Sequence, residues 1–206
     1  MKKSWFLVFG VFLLVLVVSL SSKALEEGKD YFVYEGSGDD YIKIEKPASF
    51  GIMRIQGNDQ GRHFSVLGYY DDGNRGSLFV NTTEPYEGIV PLDFQDDENT
   101  EFLEISAVGS WRIEVLPLAA ARHRLDVPGT VSGSGDDIII VDPEAEPFRG
   151  TIEGNEKGRH FAVLGWGNRR RLLVNTTEEY RGTVRIDPST FVLQITAVGE
   201  WTVEIE

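Results

Sequence analysis

The sequence predicts an all-β protein in which two tandem antiparallel β-sandwich domains of jelly-roll type follow an apolar N-terminal segment. Three observations predict this fold class. A set of motifs occurs twice in the same order, apolar side chains alternate with polar ones, and no segment after Ala24 has a sustained helical period. Short strands at regular spacing, with turn residues between them, are typical of sandwiches and jelly rolls.

The internal repeat defines the organisation of the chain. Its spacing falls from 97 residues at the first motifs to 94 and then to 90, so the second copy lacks residues around 69–77 and 94–100. Deletions of this kind belong in surface loops. The matching pairs are Gly36-Ser37-Gly38-Asp39-Asp40 with Gly133-Ser134-Gly135-Asp136-Asp137, Gly61-Arg62-His63-Phe64 with Gly158-Arg159-His160-Phe161, Val80-Asn81-Thr82-Thr83-Glu84 with Val174-Asn175-Thr176-Thr177-Glu178, and Ala107-Val108-Gly109 and Trp111 with Ala197-Val198-Gly199 and Trp201.

Apolar side chains with a period of two predict about eight strands in each copy. Trp111, Ile113 and Val115 alternate with polar residues, and the pattern recurs at 201–205. This phase places both tryptophans of the repeat in the core, and the Ala-Val-Gly turn before each one is predicted to close a hairpin. The strands of the first copy are expected near 31–35, 41–45, 49–56, 62–69, 77–81, 86–91, 103–107 and 111–115.

The first 24 residues predict export. Lys2 and Lys3 precede an almost entirely apolar run over 5–20, and small residues allow cleavage after Ala24. The alternative is an uncleaved membrane anchor formed by the same run. The remaining boundaries follow from the repeat: a first domain over 30–116, a linker over 117–126 that includes one helical turn, and a second domain over 127–206.

Composition excludes several classes of function. The chain has no cysteine, which excludes disulfides, thiolate metal sites, cysteine nucleophiles and a lipoprotein anchor. The net charge is −13, and removal of a leader with three lysines and no acidic residue leaves −16. Such a surface repels phosphate backbones and anionic headgroups, so we expect no nucleic-acid partner. An acidic exterior also serves solubility alone.

The repeated aspartates are candidate calcium ligands. Asp39 and Asp40, with Asp136 and Asp137 in the second copy, occur in a Gly-x-Gly-x-Asp pattern that resembles half of a β-roll calcium repeat. A β-roll needs several consecutive repeats, and here the two copies lie 97 residues apart. We therefore expect these residues to bond local backbone amides in a glycine turn. Calcium shared with another loop is the alternative.

Other candidate residues have structural interpretations beside the functional ones. His63 and His160 occupy matching places, but Ser65 near the first is replaced by an alanine in the second copy, which favours a structural or surface role. Asn81 and Asn175 begin N-glycosylation sequons, and they equally suit the turn that follows a strand.

Aromatic residues in loops are candidates for ligand stacking. Tyr70 and Trp166 both border the variable loop that follows the fourth strand of their copy. They predict a site for carbohydrate, with no cofactor required.

The order of the motifs resembles the order found in a domain of uncharacterised secreted and cell-surface proteins of bacteria and archaea. It is carried by Gly-Ser-Gly-Asp-Asp, Leu-Leu-Val-Asn, Tyr-x-Gly and a closing Ala-x-Gly-x-Trp, and it covers nearly all of both copies. The chain is more distantly similar to the jelly-roll modules appended to secreted peptidases. The resemblance implies an accessory β-sandwich at the cell surface and supplies no catalytic residues.

These observations predict a non-enzymatic secreted or cell-surface protein that binds an envelope glycan or a surface protein. The alternative is a small hydrolase of extracellular polymers, with paired carboxylates in the loops 94–101 or 136–145. The first of these loops contains Asp96, Asp97 and Glu98, and the second copy lacks much of this loop.

Overall fold

The computed structural model describes residues 31–142, 144 and 149–206, so the leader predicted over 1–24 lies outside the described residues. The described chain is all-β, and its helical content is one 3-10 turn, Leu118–Ala120. None of the described residues belongs to a helix with the length and apolar character that a bilayer crossing requires.

The first half contains two four-stranded antiparallel sheets. Sheet I has the strand order β1-β8-β3-β6, and sheet II has the order β2-β7-β4-β5. All eight strands lie where the sequence predicts them, which confirms those predictions. They are β1 (Phe32–Ser37), β2 (Asp40–Lys43), β3 (Gly51–Gly57), β4 (Phe64–Tyr70), β5 (Arg75–Thr82), β6 (Tyr86–Leu92), β7 (Thr100–Ser106) and β8 (Ser110–Leu116).

The second half repeats this arrangement with one additional strand. Sheet III has the order β14-β13-β16-β11-β9, and sheet IV has the order β10-β17-β12-β15. β9 lies within the segment 117–126 and runs parallel to β11, so sheet III is not purely antiparallel. The strands are β9 (His123–Leu125), β10 (Gly129–Ser134), β11 (Asp137–Val141), β12 (Arg149–Gly154), β13 (Phe161–Trp166), β14 (Arg171–Thr176), β15 (Tyr180–Arg185), β16 (Val192–Thr196) and β17 (Glu200–Ile205).

The prediction that Ala-Val-Gly closes a hairpin is wrong. β7 belongs to sheet II and β8 to sheet I, and in the second half β16 belongs to sheet III and β17 to sheet IV. Each turn therefore carries the chain from one sheet to another. Strand periodicity could not reveal this, because it shows only which side chains of a strand face the core. It does not show whether the next strand pairs with that strand or lies in the opposite sheet.

Each half has its own apolar core. One cluster collects inward side chains of sheets I and II, and a second collects those of sheets III and IV. Trp111 and Trp201 are 3% and 2% exposed, which confirms that both belong to the core. Burial of this kind is the main stabilising contribution in a chain without disulfides.

A third apolar cluster lies between the halves. Because the strands of sheets I and III already face their own cores with alternate residues, this cluster uses their outer faces, and the sheets are stacked in the order II, I, III, IV. It is built from Ile52, Ile89 and Leu116 of sheet I and from Ile138, Trp166 and Val192 of sheet III.

The repeat explains why the stack ends at sheet IV. The outer face of sheet IV has polar residues at the three positions that are equivalent to Ile52, Ile89 and Leu116 of sheet I. These residues are Arg149, Thr183 and Glu206, and the first and last of them form an ion pair. Only sheet I therefore offers an aliphatic outer face to sheet III.

Candidate functional site

The repeated Gly-Ser-Gly-Asp-Asp motif holds the core tryptophan. A Cβ on Gly36 would lie 2.3 Å from the Trp111 ring, so the contact requires glycine. Trp111 Nε1 donates a hydrogen bond to the carbonyl of Gly38 at 3.0 Å, and the Asp39 carboxylate accepts one from the Ala107 N–H at 2.9 Å. The motif thus ties the start of the first half to the Ala-x-Gly-x-Trp segment near its end.

The second copy of the motif makes the same contacts. A Cβ on Gly133 would lie 2.3 Å from the Trp201 ring. Trp201 Nε1 donates to the Gly135 carbonyl at 2.9 Å, and Asp136 accepts from the Ala197 N–H at 2.9 Å. Both copies of the motif therefore have a structural role.

Asp136 also bonds the first half, a contact with no equivalent at Asp39 among the described residues. Its Oδ2 accepts a hydrogen bond from the Tyr86 hydroxyl at 2.8 Å, and its carbonyl accepts one from the Ile89 N–H at 2.9 Å. Desolvation raises the pKa of Asp136 and, together with the nearby carboxylate, raises that of Tyr86. This turn therefore also joins the two halves.

Asp137 anchors the segment between the halves. Its side chain is 1% exposed, with Oδ1 accepting from the Ile138 N–H at 2.8 Å and Oδ2 lying 3.3 Å from His123 Nε2. Asp40, at the equivalent position, accepts from the N–H of the next residue at 2.8 Å. No sequence pattern predicted this role for His123, since only the tertiary structure brings β9 beside β11.

Calcium binding at Asp39, Asp40, Asp136 and Asp137 stays a prediction. Asp40 and Asp137 accept hydrogen bonds from the next backbone N–H, as expected for a glycine turn, whereas Asp39 and Asp136 accept them from the distant N–H groups of Ala107 and Ala197. Residues 31–142, 144 and 149–206 contain no group of three His, Asp or Glu side chains that could hold a metal ion.

The histidines and sequons lie at the surface. His63 and His160 are exposed, and His160 Nε2 lies 3.1 Å from the side-chain oxygen of Asn175. Thr82 and Thr176 each accept a hydrogen bond at 3.0 Å from the N–H two residues further on. The middle residue of each sequon therefore stabilises the turn after the fifth strand of each half.

Tyr70 and Trp166 lie in different halves and different surroundings. Trp166 is 9% exposed, packs edge-on against Phe94 at 5.3 Å between centroids, and donates from Nε1 to Gln194 at 3.1 Å. Tyr70 is half-buried at the end of β4, where desolvation and then the charge of Glu98 raise its pKa. Trp166 thus packs between the halves, and ligand binding by the pair stays a prediction.

The carboxylates proposed for hydrolysis differ in their contacts. Glu98 accepts hydrogen bonds from the Gln95 side chain at 2.9 Å and from the Ser77 hydroxyl at 3.1 Å. Asp96 and Asp97 are exposed. Glu98 therefore holds its own loop together.

Three cavities among the described residues follow the junction of the halves. The first, of about 270 Å³, is lined from both sides and includes Phe94 and Trp166. The second, of about 290 Å³, borders the same two rings. The third, of about 580 Å³, lies along β5 and includes Tyr86, Asp136 and His160.

The most distinctive surface is the outer face of sheet II, which we call the aromatic face. It presents Tyr41, Tyr69 and Phe102 from the adjacent strands β2, β4 and β7. The Tyr41 and Phe102 rings lie 5.4 Å apart and nearly parallel, and Tyr41 meets Tyr69 edge-on at 5.9 Å. Tyr41 is 55% exposed, a large open area for an aromatic side chain.

Polar groups flank these rings. Lys43 Nζ lies 5.4 Å from the Phe102 centroid and 3.2 Å from a Glu101 carboxylate oxygen. Tyr69 donates its hydroxyl to Glu104 at 2.7 Å, and this hydrogen bond is the main cause of its raised pKa. The aromatic face therefore combines apolar rings with ammonium, carboxylate and phenol groups.

The same face of the second half is covered. The positions equivalent to the three rings hold Ile138, Trp166 and Val192, which pack against sheet I. One face of the repeat is thus an internal contact in the second half and a solvent-exposed surface in the first.

The aromatic face was not predicted from the sequence, although a signal was present. Tyr41 and Lys43 alternate with the buried Ile42 and Ile44, so Tyr41 lies in the polar phase of its strand. Phe102 likewise lies in the same phase as Glu104 on β7. An aromatic residue in the polar phase indicates an open aromatic surface.

Comparison with known proteins yields no family. No family model matches the chain, and no curated protein matches it. Solved structures that are similar include allantoicase from Saccharomyces cerevisiae, with 10% identity, a TM-score of 0.25 and coverage of 89% of this chain and 79% of that one. A protein assigned as secreted from Parabacteroides distasonis has 10% identity, a TM-score of 0.21 and coverage of 90% and 85%. The stem and receptor-binding domain of spike protein P1 from bacteriophage PM2 has 12% identity, a TM-score of 0.18 and coverage of 89% and 81%. Similarity at this level carries no functional argument.

Proposed function

We propose that the chain is an exported, non-catalytic binding protein whose ligand-binding surface is the aromatic face. The observation that carries the proposal is the contrast between two equivalent faces. Tyr41 is 55% exposed, and Tyr69 and Phe102 are half-buried beside it, where the second half buries the same positions. Contiguous exposed aromatic surface flanked by polar groups is typical of interaction sites. The partner is a cell-envelope glycan or a surface protein.

Within this proposal the chain consists of two tandem jelly-roll β-sandwich domains, 30–116 and 127–206, joined by 117–126. The strand orders β1-β8-β3-β6 and β2-β7-β4-β5 are those of an eight-stranded jelly roll, and the second half repeats them. A separate apolar cluster in each half supports the same division.

The basic start and the apolar run over 5–20 support export to the cell surface or the medium, or retention by an uncleaved anchor. The contacts of Glu98 within its loop favour a structural use of that carboxylate over hydrolysis. Both observations are consistent with a binding role outside the cytoplasm.

Cosedimentation with cell envelopes of the source organism tests the proposal. We expect the double variant Y41A/F102A to bind at least about tenfold more weakly than the unaltered chain, because two stacking surfaces are lost. Leu172→Ala, which changes an exposed side chain of the second half, is the matched control and should bind normally. Thermal unfolding checks that each variant is folded. Equal binding by the double variant and the control contradicts the proposal.

A further inference from the structure

We infer that the ligand of the aromatic face is a neutral polysaccharide, an inference that rests on the binding function proposed above. The first support comes from the residue exchanges between the two equivalent faces. Where the second half has Ile138, Ile140 and Val192, the first has Tyr41, Lys43 and Phe102. These exchanges replace aliphatic side chains by larger rings and a charge.

The charged and hydroxyl groups argue against a protein sheet as the occupant. A flat aliphatic face like the one that covers sheet III would desolvate Lys43 and Glu104 without providing hydrogen bonds, which is costly. A sugar ring meets both requirements. Its C–H face packs on an aromatic ring, and its hydroxyls exchange hydrogen bonds with ammonium, carboxylate and phenol groups.

The shape of the surface favours a chain of sugars over a single one. The Tyr41 ring lies 5.4 Å from the Phe102 ring and 5.9 Å from the Tyr69 ring, between centroids. Each separation is about the length of one sugar residue. Because the rings lie on the outer face of a sheet, a single sugar would make few contacts, and contacts to successive rings are needed for useful affinity.

The charge of the chain and of the aromatic face indicates which class of polysaccharide binds. The chain carries 33 acidic and 20 basic residues, so its long-range field repels a polyanion. Around the rings, Lys43 pairs with Glu101, the Tyr69 hydroxyl donates to Glu104, and Arg75 lies opposite Tyr69 on β5, so two cations and two carboxylates balance there. Uncharged sugars fit this balance.

Treatment of the envelopes tests the inference separately from the proposed function. We expect periodate oxidation, which destroys sugar diols, to reduce binding of the unaltered chain at least about tenfold, and protease treatment to leave it unchanged. A soluble neutral glucan or mannan should compete for binding, whereas polygalacturonate should not. Y41A/F102A is the non-binding reference in each treatment, and Leu172→Ala, at an exposed side chain of the second half, is the control that should bind like the unaltered chain.

Two outcomes overturn the inference while the proposed function survives. The first is binding that requires the aromatic face but resists periodate and is lost with protease, which assigns a protein partner. The second is competition by polygalacturonate and by neither neutral polymer, which assigns an acidic glycan. Binding that does not depend on Tyr41 and Phe102 at all overturns the proposed function itself.

Discussion

The outer faces of sheets II and III have the same topology and opposite environments. Ile138 of sheet III is fully buried against sheet I, whereas Tyr41, at the equivalent position of sheet II, is 55% exposed. The two halves therefore share strand order, turn motifs and a core tryptophan, and they differ at the surfaces by which they meet their surroundings. A duplicated fold can conserve its interior and use the same outer face once for assembly and once for solvent.

This difference also fixes how the halves associate. The contact is heterologous, since sheet I of one half meets sheet III of the other. Among the described residues, the outer face of sheet IV has the Arg149–Glu206 ion pair where sheet I has Ile52 and Leu116, so the two equivalent outer faces differ in polarity.

The largest expected effect is at the covered face. Ile138→Ala should lower the free energy of unfolding by about 2–5 kcal/mol, because it leaves a cavity between sheets I and III. Tyr41→Ala, the matched change at the open face, should cost less than about 1 kcal/mol. Urea denaturation of both variants measures the difference. Similar losses at the two positions would mean that the faces are not in different environments.

The hydrogen bond across the junction gives a smaller effect. Tyr86→Phe removes the donor that serves the Asp136 carboxylate at 2.8 Å and should cost about 1–3 kcal/mol. Tyr180 occupies the equivalent place, and its hydroxyl has no such carboxylate partner among the described residues, so Tyr180→Phe should cost less than about 0.5 kcal/mol. Chemical denaturation measures the unfolding free energy of both variants. Equal losses would mean that the two tyrosines have the same structural role.

The smallest expected effect is a dependence of stability on pH. Desolvation raises the pKa of Asp136 above its ordinary value of 3.8, so the folded chain holds this proton more tightly than the unfolded chain. The resulting stabilisation is fully present below pH 3.8 and is lost as pH rises through the folded pKa. Asp136→Asn cannot titrate, so its stability relative to the unaltered chain should rise with pH, by at most about 1.4 kcal/mol per pH unit.

Urea denaturation between about pH 3 and about pH 7 measures this change. Asp39→Asn serves as the control for loss of a carboxylate from the equivalent turn, since the bond given to Asp39 among the described residues is from the Ala107 N–H of its own half at 2.9 Å. A stability difference for Asp136→Asn that is flat or falls with rising pH would contradict the assigned burial of this group.

Sequence periodicity predicted the first half strand by strand, and the motif comparison predicted that the second half repeats it. Neither could show that the Gly-Ser-Gly-Asp-Asp motif contacts the tryptophan, because Gly36 and Trp111 are far apart in the chain and meet only through the pairing of β1 with β8. The sequence therefore left two interpretations of the motif open, a glycine turn that bonds local amides and a calcium site shared with another loop.

The candidate site was missed for a related reason. The sequences of β2 and β11 already indicate which outer face is covered. Ile138-Ile139-Ile140 has aliphatic side chains on both faces of its strand, and Tyr41-Ile42-Lys43 has one on the inner face alone. Continuous apolar runs indicate a strand buried on both faces, and alternation indicates a strand with one open face. The two copies therefore differ already in the apolar pattern of this strand.

By itself the sequence determined the repeat, the strands common to both halves and which of their faces is apolar, because these follow from local patterns that each short segment carries. The tertiary structure alone decided how the strands divide between sheets, that the Ala-Val-Gly turns change sheet, and which outer faces meet. The physical reason is that burial depends on the surface brought opposite a residue. An isoleucine at 138 and a tyrosine at 41 acquire their roles only when sheet I covers one of them and leaves the other in water.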